Sequence, residues 1–292
     1  MSSAPEGRFP STAVPLITRN AQRTTLRTDD GIAVEAVYEP CTGSSAGGRG
    51  AAPSGTAIVV AHGFTGSADR PAVRRAARVF ARHAAVVTFS FRGHGRSGGR
   101  STVGDREVLD LAAAVGWARE LGHRRVVTVG FSMGGSVVLR HAALYPAGGS
   151  TGAREGRIAA RTGVHTDAVV AVSAPARWYY RGTAPMRRLH WVVTRPAGRL
   201  IGQYGLRTRI DHNEWNPVPL SPVEAVPLIG VPLLVVHGTR DPYFPLDHPR
   251  MLAGASRGAA ELWLEPGMGH AENAADESLL TRIADWAVPV PA

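Results

Sequence analysis

The sequence predicts an α/β protein: a mostly parallel central sheet flanked by helices, with a helical insertion. Two observations carry that prediction. Short runs rich in Val, Ile and Ala recur at 56–61, 85–89, 126–129, 168–172 and 231–236. Strands that are apolar almost throughout are those covered on both faces of a parallel sheet. Between them lie segments with apolar residues at helical spacing. Residues 70–83 carry Val73, Ala76, Ala77 and Phe80 on one face, and 105–121 carry Val108, Leu111, Ala112, Val115 and Ala118. A third helix is expected at 132–145, and a last one at 276–286 with Leu279, Leu280, Ile283 and Trp286. Repeated strand–helix–strand units with right-handed crossovers build an open α/β sheet.

The remaining segments follow in order. Residues 1–20 hold Pro and Ser without a period and read as an N-terminal arm. Residues 23–38 alternate loosely around Asp30-Gly31, a hairpin signal. Residues 39–55 form a loop rich in Gly, Ser and Ala, and 146–166 form a second surface loop. The stretch 177–226 is too long for an ordinary connection between strands. It contains Trp178, Tyr179, Tyr180, Trp191, Tyr204 and Trp215, so it reads as a structured insertion, with Pro196 ending any helix that runs through it. The core is then 21–176 together with 227–292.

Composition narrows the function. The chain of 292 residues is 44% hydrophobic, enough for one substantial core. Its net charge is +10, and all 33 basic residues are arginine. They are spread along the chain, and no zinc-finger or RNA-recognition pattern accompanies them, so nucleic-acid binding is not expected. The single cysteine, Cys41, has no intramolecular partner and fits a reducing compartment. No apolar signal-peptide core opens the chain, and no stretch approaches membrane-spanning length. A cytoplasmic protein is expected.

The chemistry centres on Gly130-Phe131-Ser132-Met133-Gly134, which follows a strand and precedes a helix. A tight strand-to-helix turn there holds the serine hydroxyl out at the carboxyl edge of the sheet. The following helix N-terminus presents backbone N–H groups beside it. A serine hydroxyl needs a base, and the base needs an orienting carboxylate. His270 in Gly269-His270-Ala271 and Asp241 in Thr239-Arg240-Asp241-Pro242 lie after the last two strands, in the order serine, acid, histidine. Asp247, six residues further on, is the alternative acid, although it falls where a helix should begin. The oxyanion calls for two backbone donors: the N–H of Met133, and that of Phe64 in His62-Gly63-Phe64-Thr65-Gly66. His62 reads as a residue that shapes this loop.

These pieces, with Phe91-Arg92-Gly93-His94-Gly95-Arg96-Ser97 as an architectural turn, resemble the α/β-hydrolase superfamily from about Thr24 to Trp286. The resemblance implies that 177–226 is a cap over the active site. Ser132 stands where dehalogenases and epoxide hydrolases of this architecture carry aspartate. The His-Gly-Phe-Thr-Gly loop departs from the His-Gly-Gly-Gly of many lipases and esterases. It is similar to that of the broad set of esterases, monoacylglycerol-lipase-like enzymes, thioesterases and carbon–carbon bond hydrolases. The expected function is hydrolysis of a carboxylic ester, the partner being a small-molecule acyl substrate, without cofactor or metal. A thioesterase, an amidase, a carbon–carbon hydrolase or a non-catalytic binding protein on the same scaffold are the alternatives. Eight arginines in the insertion suggest either a solvated basic face or an anionic acyl substrate. The arginine bias of the whole chain favours the solvated face over lipid docking through Leu189, Trp191, Val192 and Val193.

Overall fold

A computed structural model describes residues 20–43, 55–148 and 162–288. The arm expected at 1–20, all but its last residue, and most of the loops expected at 39–55 and 146–166 therefore lie outside the described residues. An eight-stranded sheet runs through the molecule in the order β1-β2-β4-β3-β5-β6-β7-β8. Its strands are β1 (Gln22–Arg27), β2 (Ala33–Glu39), β3 (Thr56–Ala61), β4 (Ala85–Phe89), β5 (Arg125–Phe131), β6 (Ala168–Val172), β7 (Leu233–Gly238) and β8 (Ala260–Glu265).

β1 and β2 pair antiparallel as the expected hairpin, with Gly31 at φ +83° in its turn. β2 then pairs antiparallel with β4, and every pairing from β4 through β8 is parallel. β7 begins two residues later than the apolar run at 231–236 suggests and continues through His237 and Gly238. Pro232 lacks the N–H that a ladder position would use.

Side chains alternate across the strands. Ile58 and Val60 of β3 join one apolar cluster with Val73 and Phe80 of α1 (Pro71–Phe80) and Leu280 and Ile283 of α9 (Glu277–Ala287). Ala57, Val59 and Ala61 join the opposite cluster. That cluster holds Leu111 and Val115 of α2 (Glu107–Glu120), Val137 and Leu139 of α3 (Met133–Leu144), and Leu252 of α7 (Asp247–Ala255). Helices on both faces explain why β3 through β6 show no polar alternation. The parallel strands also deliver their following loops to one edge of the sheet, where the candidate site lies.

The turn at 91–97 is architectural, as its sequence suggests. The Arg92 guanidinium bridges the buried Asp110 and the more exposed Asp30, each at 2.7 Å. The stretch between β6 and β7 holds α4 (Ala184–Thr194), α5 (Pro196–Tyr204) and the short α6 (Pro222–Ala225). Pro196 both ends α4 and opens α5, since a proline has no N–H to lose at the first helical position. Among the described residues no helix is long and apolar enough to cross a membrane.

Candidate active site

Ser132 sits between β5 and α3 at φ +51° and ψ −113°, a conformation that non-glycine residues rarely hold. The surroundings enforce it. A Cβ on Gly130 would lie 2.2 Å from the Gly134 carbonyl oxygen, and one on Gly134 would lie 2.2 Å from that of Ala61. Only glycine lets the elbow close this tightly against β3. The Ser132 N–H donates to Val172 O at 2.8 Å, which ties the turn to the end of β6.

His270 and Asp241 meet this serine. Ser132 Oγ lies 2.8 Å from His270 Nε2, and His270 Nδ1 lies 2.7 Å from Asp241 Oδ2. The other Asp241 oxygen, Oδ1, accepts the N–H groups of Tyr243 at 2.8 Å and Phe244 at 3.1 Å. Burial pushes the Asp241 carboxyl up, but His270, Phe244 and Tyr243 together hold it below its ordinary value. An ionised carboxylate only accepts, so Nδ1 carries the His270 proton and Nε2 is left to accept from the Ser132 hydroxyl. The rings of Tyr243 and Phe244 pack 4.4 Å and 5.6 Å from the imidazole. Asp247 is elsewhere: it opens α7, is half exposed, and pairs with Arg177 at 3.0 Å.

The loop after β3 comes up beside the serine. Phe64, Ser132 and Met133 line one cavity. Among the described residues neither the Phe64 nor the Met133 N–H donates to a protein acceptor. Two buried histidines shape this loop. His62 Nε2 accepts from Phe91 N–H at 3.0 Å, so Nδ1 donates to Gly63 O at 2.7 Å. His94 repeats the pattern, with Nε2 facing Thr65 N–H at 3.4 Å and Nδ1 on Arg92 O at 2.9 Å. Burial lowers both, His62 to about 3, so each is a neutral strut.

Glu272 is the residue that sequence reading missed. It lies on α8 (Ala271–Ala274), directly after His270, and is only 6% exposed. Its Oε1 accepts the Gly63 N–H at 3.0 Å. A Cβ at Gly63 would lie 3.1 Å from both Glu272 oxygens and 3.4 Å from Ser132 Cβ. Arg75 holds the backbone beneath, donating to the carbonyls of Glu272 at 2.6 Å and Ala275 at 3.0 Å. Glu272 was visible two positions after the histidine, but nothing local says that α8 turns it onto a loop 209 residues away.

The cavity above Ser132 has a volume of about 650 Å³. Trp178, Tyr179 and Trp215 form one aromatic wall, with ring centroids 5.1 Å and 5.4 Å apart. Both indole N–H groups are satisfied inside the protein, Trp178 by Pro219 O and Trp215 by Thr102 O, so their rings present apolar surface. Met186, Leu189 and Val193 of α4 add further apolar lining. Leu189 and Val193 therefore face the cavity rather than the outside, and Val192 packs against Gly202 of α5. Of the four residues that the sequence offers for lipid docking, Trp191 alone is markedly exposed.

The fold is shared with solved structures. An esterase of Pyrococcus furiosus superposes with a TM-score of 0.66 at 19% identity, covering 92% of each chain. A serine hydrolase of Xanthomonas campestris described as lacking a lid gives a TM-score of 0.59 at 18% identity, covering 95% of this chain and all of that one. Est1E of Butyrivibrio proteoclasticus, solved with ferulic acid, gives 0.57 at 18% identity over 90% and 96%. At these identities the likeness concerns the fold. No curated protein matches the sequence. The model of the Alpha/beta hydrolase family matches residues 58–279, which is most of the chain. The protein belongs to the alpha/beta hydrolase family.

Proposed function

We propose that this protein is a serine hydrolase that cleaves a carboxylic ester through an acyl-enzyme. The observation that carries this reading is the hydrogen-bonded series Ser132–His270–Asp241, with contacts of 2.8 Å and 2.7 Å, at the strained elbow. As Ser132 Oγ attacks the ester carbonyl, His270 Nε2 takes the hydroxyl proton. Asp241 fixes the imidazole tautomer and faces the imidazolium that forms. Negative charge builds on the former carbonyl oxygen, which the N–H groups of Met133 and Phe64 are suited to receive. Collapse breaks the bond to the alkoxy group, and His270 returns its proton to that leaving oxygen. Water then repeats the sequence on the acyl-enzyme and frees the acid. The residues need no cofactor or metal for any step.

The segment 177–226 serves as the cap in this reading. Its aromatic wall and α4 give the cavity much of its apolar lining, which suits an apolar part of an ester substrate. Turnover of short-chain p-nitrophenyl esters by wild type and Ser132→Ala tests the chemistry, together with labelling by a fluorophosphonate probe. Wild type should hydrolyse the esters and be labelled at Ser132, and Ser132→Ala should do neither. Equal turnover by both proteins above background would remove Ser132 from the mechanism.

A further inference from the structure

The outer surface of the α4–α5 pair is unlike the rest of the molecule. Among the described residues, the large hydrophobic side chains that stand well exposed are Tyr179, Trp191, Leu200, Ile201, Tyr204 and Val218. All six fall within one stretch of the chain, and each is between 46% and 76% exposed. Helical spacing explains the grouping. Arg187, Arg188, Trp191 and Arg195 share the outward side of α4 and its C-terminal cap. Leu200, Ile201 and Tyr204 share the outward side of α5, followed by exposed Arg207. The inward side of α4 is the apolar lining of the cavity, so the helix is apolar inside and basic outside, with Trp191 set among the outer arginines.

Charge is segregated in the same place. From Asp167 to Asp211 the sequence contains no Asp or Glu, yet it holds eight arginines. Elsewhere arginines are commonly paired with carboxylates, as Arg92, Arg96, Arg119 and Arg282 are. Among the described residues, Arg177 is the single member of the eight that makes such a pair. An exposed apolar surface flanked by uncompensated arginines needs a partner that is both apolar and anionic.

We infer that the outer face of α4 and α5 docks on an anionic lipid bilayer. Trp191, Leu200, Ile201 and Tyr204 enter the headgroup boundary, while Arg187, Arg188, Arg195 and Arg207 meet lipid phosphates. A second copy of the chain is a poorer occupant. A two-fold contact through this face would bring the same arginines against one another with no carboxylate between Asp167 and Asp211 to offset them. Tyr179 and Val218 both line the cavity and stand exposed, so they mark its rim beside the docking helices. This inference does not depend on the hydrolytic reading, since it concerns side chains outside the Ser132 site.

The test is co-sedimentation of the full chain with vesicles, either pure phosphatidylcholine or an equimolar mixture with phosphatidylglycerol. Anionic vesicles should bind at least about tenfold more tightly than zwitterionic ones, and added salt should weaken the binding. Leu200→Glu with Ile201→Glu should abolish it. Arg187→Gln with Arg188→Gln should reduce it several-fold. None of these residues lines the cavity, so turnover of a soluble p-nitrophenyl ester should be unchanged, which separates loss of docking from loss of chemistry. Equal binding to both vesicle types, or binding that survives the Glu substitutions, overturns the inference. So does a concentration-dependent dimer that Leu200→Glu disrupts in protein that binds no vesicles.

Discussion

Replacing Glu272 with alanine removes the acceptor of the Gly63 N–H and leaves the rest of that corner in place. The Arg75 contacts go to backbone carbonyls, which alanine keeps. The lost bond is 3.0 Å long and buried, and its acceptor is a carboxylate. Stranding a buried N–H costs about 1–3 kcal/mol. If that cost falls on the geometry of the 62–66 loop, it lowers the rate about 5- to 150-fold. The ceiling is the loss of an entire oxyanion donor, about 10²–10³-fold. Glutamine offers an oxygen at the same reach without the charge, so Glu272→Gln should recover most of the activity. The assay is kcat and KM on a p-nitrophenyl ester for wild type, Glu272→Ala and Glu272→Gln, with the melting temperature of each. The expected result is a kcat defect in the alanine variant with KM little changed. A glutamine variant as impaired as the alanine one would refute the reasoning, because charge rather than hydrogen bonding would then be the contribution. An alanine variant with unchanged kcat would refute it as well.

Other perturbations have equally definite outcomes. Asp241→Asn should lower kcat about 10³–10⁴-fold while the protein stays folded, because the amide no longer imposes the Nδ1–H tautomer on His270; Asp247→Asn should leave kcat intact. Gly134→Ala places a Cβ 2.2 Å from Ala61 O and should either lower the melting temperature sharply or prevent folding, as thermal denaturation will show. Acid should destabilise the protein. Burial lowers His62 from 6.5 to about 3 and His248 to about 4, so between those values and 6.5 the unfolded chain binds protons that the native chain does not. Stability therefore falls as pH drops through this window. Urea midpoints measured at about pH 7 and about pH 4.5 should differ in that direction, and a flat profile would count against neutral buried histidines.

Local sequence carried much of the fold. The apolar runs at 56–61, 85–89 and 168–172 coincide with β3, β4 and β6, because a strand covered on both faces has no polar side to blur its ends. The hairpin around Asp30-Gly31 and the elbow at Ser132 were legible for a similar reason: each turn requires a backbone conformation that few residues tolerate. The order serine, acid, histidine follows from parallel strands that present their loops at one edge, and on those grounds Asp241 could be favoured over Asp247.

Tertiary structure alone decided the rest. Only packing brings Glu272 of α8 onto Gly63, since hydrogen bonds between residues 209 apart leave no periodicity in either segment. The same holds for His62 and His94. Their residue types were plain in the sequence, but their neutrality comes from burial and from the N–H groups of Phe91 and Thr65 that they accept. The sides of α4 were the other undecided feature. Leu189, Trp191, Val192 and Val193 crowd within five positions, so Leu189 and Val193 could be told from Trp191 only when the cavity claimed one side and solvent the other. Sequence determines what depends on neighbours along the chain. Which buried group meets which, and which apolar face remains uncovered, depends on neighbours in space.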